Sequence, residues 1–225
     1  MLRNMLAVLV SIAMVCGTSL AFTIDGNFDD WTDVPTKVND DKDMADSSGD
    51  IKMIQAAYED GNLYLRMVVY GIIAPAVGDT PAGMTNRYYY HWLLDTDDNI
   101  NTGFKNSEYE GNATDVDPIG VDMIVQVGWR DGASDGVYVY RPIEGGDEEV
   151  LLEDFEFASE GDSMEAVIPI DVLEVREGDK GSFSAFQEGA SDDWAVDWLD
   201  PAVLVFLPLA VEPSGKLTTT WGGIK

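Results

Sequence analysis

Two runs of period-two alternation flank the tetrapeptide Glu59-Asp60-Gly61-Asn62. In residues 63–70, Leu63, Leu65, Met67 and Val69 fall on one face and Tyr64, Arg66, Val68 and Tyr70 on the other. That is the period of a strand, not of a helix. An Asp-Gly pair between such runs favours a hairpin, because both turn residues take positive φ. Strands are therefore predicted over 50–58 and 63–70, with the Leu63 set facing the core. The pattern recurs along the chain. Residues 121–129 place Val121, Met123, Val125, Val127 and Trp129 on one face. Further strands are predicted over 136–141, 151–158, 164–170, 182–187 and 203–207. Residues 88–94 are apolar or aromatic on both faces, the mark of a central strand. One helical turn is expected at 171–175, with Asp171 as its N-cap. About nine or ten short strands with frequent turn signals predict an all-β fold, a single antiparallel β-sandwich.

Residues 1–21 read as a secretory signal peptide. Arg3 is its basic start, residues 5–15 its apolar stretch and Ser19-Leu20-Ala21 its cleavage site. The apolar run falls short of the roughly 20 residues that span a bilayer. The expectation is a sandwich domain over 22–225, secreted, periplasmic or at the cell surface, with no membrane insertion after cleavage. Residues 215–225 would be an edge strand or a tail. The only cysteine, Cys16, lies within the leader, so disulfides and thiol chemistry are excluded from the domain. Net charge is −29, which argues against nucleic acid and anionic membrane surfaces as partners. The acidity reads as a solvated, solubilising surface, with adaptation to high salt as the second reading.

Residues 88–103, YYYHWLLDTDDNINTG, join the central strand to an acidic loop. There, oxygen-bearing side chains recur at alternate positions: Asp95, Asp97, Asn99 and Asn101. Ca²⁺ takes six to eight oxygen ligands, and this spacing suits a hard cation. The loop is not an EF-hand, since Ile100 and Asn106 stand where that motif needs glycine and glutamate. Further acid ligands are expected from Asp122, Glu108 or Glu110. Two irregular segments, 71–87 and 104–120, read as long loops.

IDGNFDDW, DIKMIQAAYEDGNLYLRM, LLDTDDNINTGF, GVDMIVQV and MEAVIPIDVL occur in that order. Together they resemble the family-nine carbohydrate-binding modules and the related DOMON-like sandwich domains, over most of residues 23–207. The resemblance implies a jelly-roll-like sandwich, structural calcium in the acidic loop, and often sugar or haem binding. It carries onto Asp95, Asp97, Asn99 and Asp122, with Gly103 as the turn glycine. The paired aromatics by which such modules grip sugar have no matching positions here.

The expected function is that of an exported, non-catalytic carbohydrate-binding sandwich with Ca²⁺ as its cofactor and an oligo- or polysaccharide as its partner. Trp194 and Trp198, among Asp192, Asp193, Asp197 and Asp200, are the candidate ligand-binding residues, with the face carrying Tyr64, Arg66, Tyr70, Tyr138 and Tyr140 as a second platform. The alternative is an extracellular structural or protein-interaction domain using an edge strand at 216–221, for which the sequence names no partner. Haem would have to use His91, the sole histidine, with Met67, Met84 or Met123. A hydrolase would need two carboxylates about 5–10 Å apart, which the abundance of acids makes impossible to select by sequence.

Overall fold

The computed structural model describes residues 22–35, 37–75, 86–105, 117–143, 147–189 and 196–208. The leader, the interiors of both long loops, Trp194 and the C-terminal segment 215–225 lie outside the described residues. A 3₁₀ turn at Phe28–Trp31 precedes fourteen strands. These are β1 (Lys37–Asn39), β2 (Ile51–Glu59), β3 (Asn62–Val69), β4 (Arg87–Asp95), β5 (Phe104–Lys105), β6 (Gly120–Val121) and β7 (Met123–Arg130). They continue as β8 (Ala133–Pro142), β9 (Glu148–Glu153), β10 (Phe157–Glu160), β11 (Ser163–Pro169), β12 (Lys180–Gly189), β13 (Val196–Trp198) and β14 (Ala202–Val205). One sheet runs β1-β2-β3-β11-β10 and the other β13-β12-β4-β7-β8-β9, with β14 also on β12 and a small β5–β6 ladder apart. All named ladders are antiparallel. The molecule is an all-β sandwich, as the alternation predicts.

Local chemistry explains the main hairpin. Asp60 and Gly61 take φ of 47° and 79°, the two positive values of a tight hairpin turn. That turn fixes the pairing of Glu59 with Asn62 and sends Leu63, Leu65, Met67 and Val69 into the core, all with no exposure. Tyr88, Tyr90, Trp92 and Leu94 from β4 and Met123, Val125 and Val127 from β7 join the same cluster. Each large side chain buried this way contributes about 1.5–3 kcal/mol.

The N-terminal segment covers the outer face of the first sheet. Phe22 stacks on Tyr64 with ring centroids 4.7 Å apart, and the Arg66 guanidinium lies over Phe28 at 4.8 Å. Glu165, on β11 and nearly inaccessible, anchors the segment. Its carboxylate accepts from the backbone of Asp25 and Gly26 at 3.1 and 2.9 Å and from Trp31 Nε1 at 2.8 Å.

Three local expectations are corrected. The predicted strand 121–129 breaks at Asp122, whose N–H turns to Leu94 O at 2.9 Å. Val121 therefore belongs to a small cluster with Leu93, Ile124, Tyr140 and Phe186, apart from the main core. The predicted strand 151–158 divides between β9 and β10. Residues 171–175 form turns and no helix: Val172 and Leu173 donate to Pro169 and Ile170, i→i+3 bonds that bring Leu173 into the core. Among the described residues no helix is long and apolar enough to cross a membrane.

Glu165→Ala should lower the unfolding free energy by about 3 kcal/mol, because three donors lose a charged acceptor in a buried place. The exposed control Glu160→Ala should stay within about 0.5 kcal/mol of wild type. Urea unfolding of both variants measures this.

Candidate functional site: an acidic loop and an aromatic sheet face

The three acids among the five expected metal ligands come together. Asp95 ends β4, Asp97 follows in the loop, and Asp122 lies at the break between β6 and β7. Each places a carboxylate oxygen within 4.8 Å of the others. Oxygens on opposite sides of one Ca²⁺ stand about 4.8 Å apart, since each bond is about 2.4 Å. The set is all oxygen and anionic, which fits a hard cation. Hydrogen bonds fix these carboxylates in place. Asn99 N donates to Asp95 Oδ1 at 3.1 Å, and Thr96 N and Oγ1 donate to Asp122 Oδ2 at 2.8 and 2.9 Å. Thr102 Oγ1 sits 2.9 Å from both Asp97 oxygens.

Close packing also requires the glycines. A Cβ at Gly103 would stand 2.6 Å from Val121 O, and one at Gly120 would stand 2.3 Å from Thr102 O. Burial pushes the Asp95 carboxyl above its usual range, with the Asp122 and Asp97 charges adding to it. Within the same turn the Asn99 side-chain oxygen accepts from Asn101 N and Nδ2 at 3.1 and 3.2 Å. Their spacing serves the turn.

The outer face of the second sheet has a covered half and an open half. In the covered half His91, Phe186 and Trp198 form a three-ring stack, with centroid distances of 4.1 and 4.5 Å. Trp198 is half-buried, with one ring face against Phe186. Burial pushes the His91 imidazole down to about 4, and its Nε2 lies 2.9 Å from Gln126 Oε1. Met67 and Met123 belong to the main core on the other side of this sheet, so neither shares a face with His91.

The open half is a cleft of about 190 Å³ lined by Tyr89, Gln126, Asp135, Gly136, Tyr138 and Glu188. A Cβ at Gly128 would meet the Tyr89 ring at 2.3 Å, so glycine lets that ring lie flat on the sheet. Its hydroxyl donates to Asp135 Oδ2 at 2.5 Å and accepts from Arg130 Nη2 at 2.9 Å. Arg130 also pairs with Asp135 at 3.0 Å. The second aromatic platform expected from sequence is divided. Tyr64 and Arg66 lie on the first sheet, Tyr138 and Tyr140 on the second, and Tyr140 is buried.

A further acidic group escaped the sequence reading. Asp40, Asp43 and Asp197 bring carboxylate oxygens within 4.8 Å of one another. Asp197 was expected to face a sugar, yet it is buried and accepts from Ile51 N at 2.5 Å. Burial pushes its carboxyl up to about 7, and Asp40, Asp43 and Asp50 add like-charge repulsion. The only sequence signal was the acid density of residues 40–50, which cannot reveal a partner more than a hundred residues away.

No protein-family model matches the chain, and no curated protein matches it in sequence.

The His91 imidazole should keep one NMR shift from pH 7.5 to 5 and titrate near 4. Between its ordinary 6.5 and 4, the unfolded chain takes up a proton that the native chain refuses. This contribution to stability is therefore intact above 6.5 and lost as pH falls through that window, by about 3 kcal/mol in full. A midpoint above 6 would contradict the burial described.

Proposed function

We propose that the chain is an exported, non-catalytic carbohydrate-binding sandwich whose acidic loop holds structural Ca²⁺. Asp95, Asp97 and Asp122 would be the anionic ligands, and the ion would tie β4 to the start of β7. The observation that carries the sugar reading is the open cleft beside Tyr138. It offers the Tyr138 ring for the apolar face of a sugar and the Asp135 and Glu188 oxygens as hydroxyl acceptors, while the Arg87 guanidinium lies over the Tyr89 ring at 5.5 Å. Ligand sites combine apolar walls with a few placed polar groups in this manner. The larger cleft at the N-terminal segment, about 530 Å³, is less suited, since Phe22 already covers the Tyr64 ring. The family-nine resemblance supports the same reading. Trp194 and Trp198 remain proposed contacts, with Trp198 presenting at most its face away from Phe186.

Haem is disfavoured by the pairing of His91 Nε2 with Gln126 and by the placement of Met67 and Met123 across the sheet. Transfer from Ca²⁺ to EDTA should lower the midpoint of thermal unfolding by several degrees, as expected when a ligand selective for the native state is removed. The increment should shrink in Asp97→Asn, and an unchanged increment would overturn the loop site. An array of poly- and oligosaccharides should retain the protein, with at least tenfold weaker retention for Tyr138→Ala. If nothing on the array is retained, the sugar reading fails and the structural or interaction role takes its place.

A further inference from the structure

The 40–50 loop and β13 meet at a place unrelated to the acidic loop. Three carboxylates, from Asp40, Asp43 and Asp197, converge there within the span of one calcium coordination sphere. A fourth, Asp50, stands beside them. It has no exposed surface, and its Oδ1 is buried with no hydrogen-bond partner. Its Oδ2 accepts from Met44 N at 3.3 Å, next to Asp43. Asp50 is near enough to Asp43 and Asp197 for their charges to act on one another. The next residue, Ile51, donates its N–H to Asp197, which places that carboxylate on the backbone just after Asp50.

Backbone and tyrosine hydrogen bonds hold this group in place, and among nearby cations the Lys42 charge acts on Asp50. Asp40 N donates to Lys52 O at 3.0 Å, Tyr70 N donates to Asp50 O at 2.9 Å, and Tyr70 Oη donates to Asp40 O at 2.8 Å. Tyr90 Oη donates to Ser48 O at 2.8 Å, which fastens the loop to β4. Lys42 is the near cation, but its ammonium bonds Ser47 Oγ at 2.5 Å and lies 5.9 Å from the Tyr70 ring. Lys52 also lies toward Tyr70, at 5.8 Å. Asp41 adds a further acid beside Asp40, and the Asp200 charge also acts on Asp40. A buried carboxylate oxygen without a donor costs several kcal/mol unless a cation or a proton meets it.

We propose that Asp40, Asp43 and Asp197, with the buried Asp50 carboxylate beside them, form a second site for a hard divalent cation, Ca²⁺, that clamps the 40–50 loop onto β13. The oxygen-only ligand set selects Ca²⁺ over softer transition metals. The ion would hold β13 at the edge of the second sheet, where Trp198 stacks on Phe186. The site stands independently of the loop at Asp95.

Calorimetric titration of the EDTA-stripped protein with Ca²⁺ tests it, in wild type, Asp43→Asn, Asp40→Asn/Asp43→Asn and Asp97→Asn. Asp43 and Asp97 are exposed, and circular dichroism checks that each variant keeps the fold. The expected result is two equivalents in wild type. One equivalent should be lost, or weakened at least tenfold, in both Asp43 variants, while Asp97→Asn keeps that class. A single equivalent lost in the Asp43 variants and kept in Asp97→Asn also supports the site, and would remove the loop reading instead. Binding that is unchanged in Asp40→Asn/Asp43→Asn overturns the proposal, as does the absence of any binding.

Discussion

The structure depends on enclosing β4 on all sides. It pairs with β12 from Tyr88 to Asp95 and with β7 from Arg87 to Leu94. Tyr88, Tyr90, Trp92 and Leu94 enter the main core, while Leu93 sits in the second cluster on the opposite face. Water reaches almost none of this strand, so its backbone groups must be paired by neighbours. Where the ladder ends, Asp122 supplies the next donor, its N–H meeting Leu94 O, and its carboxylate takes the N–H of Thr96. The acidic loop is thus positioned by the same requirement that builds the sheet. Its acids converge because the strand end brings them together.

The outer face of the second sheet follows from this placement. Beside the loop, β5 and β6 pair through Phe104 and Val121, and that apolar pair helps cover Leu93, Ile124 and Phe186. Toward the other end of β4 the cover stops. There Gly128 and Gly136 remove side-chain bulk, and Tyr89, Gln126 and Tyr138 face a cleft. One sheet face therefore holds a dry ring stack and a wet recess, separated by the His91–Gln126 pair.

Much of this was legible because strand period is local. The faces of 63–70 and the central character of 88–94 needed only neighbouring residues. The break at Asp122 was not legible, since Val121 and Met123 have the same parity and both are apolar; only the pairing of Val121 with Phe104 separates them. The Asp95–Asp97 pair could be read from spacing. The spacing of Asn99 and Asn101 could not distinguish a ligand from a turn that bonds itself. Trp198 looked available because its loop is acidic, yet the register that sets it opposite Phe186 is a fact of pairing across β12 and β13. Asp197 with Ile51 is a contact between distant parts of the chain, which no local pattern encodes.

Glu165 and Asp50 are both buried carboxylates, and the difference between them is in their partners. Glu165 is as inaccessible as Asp50, but it has three N–H donors and the Arg66 charge close enough to be felt. An ionised carboxylate has about four acceptor positions, and Glu165 fills most of them from the protein alone. It is a complete structural anchor. Asp50 has one oxygen served by a long bond from Met44 and another with no hydrogen-bond partner, and it feels the Lys42 charge and the Asp43 backbone N–H together with the Asp43 carboxylate. Desolvation acts on both residues alike, so the contrast cannot come from depth. Glu165 finds three donors and a nearby guanidinium within the chain, whereas Asp50 and its three neighbouring aspartates would take a cation from solution at the site proposed above.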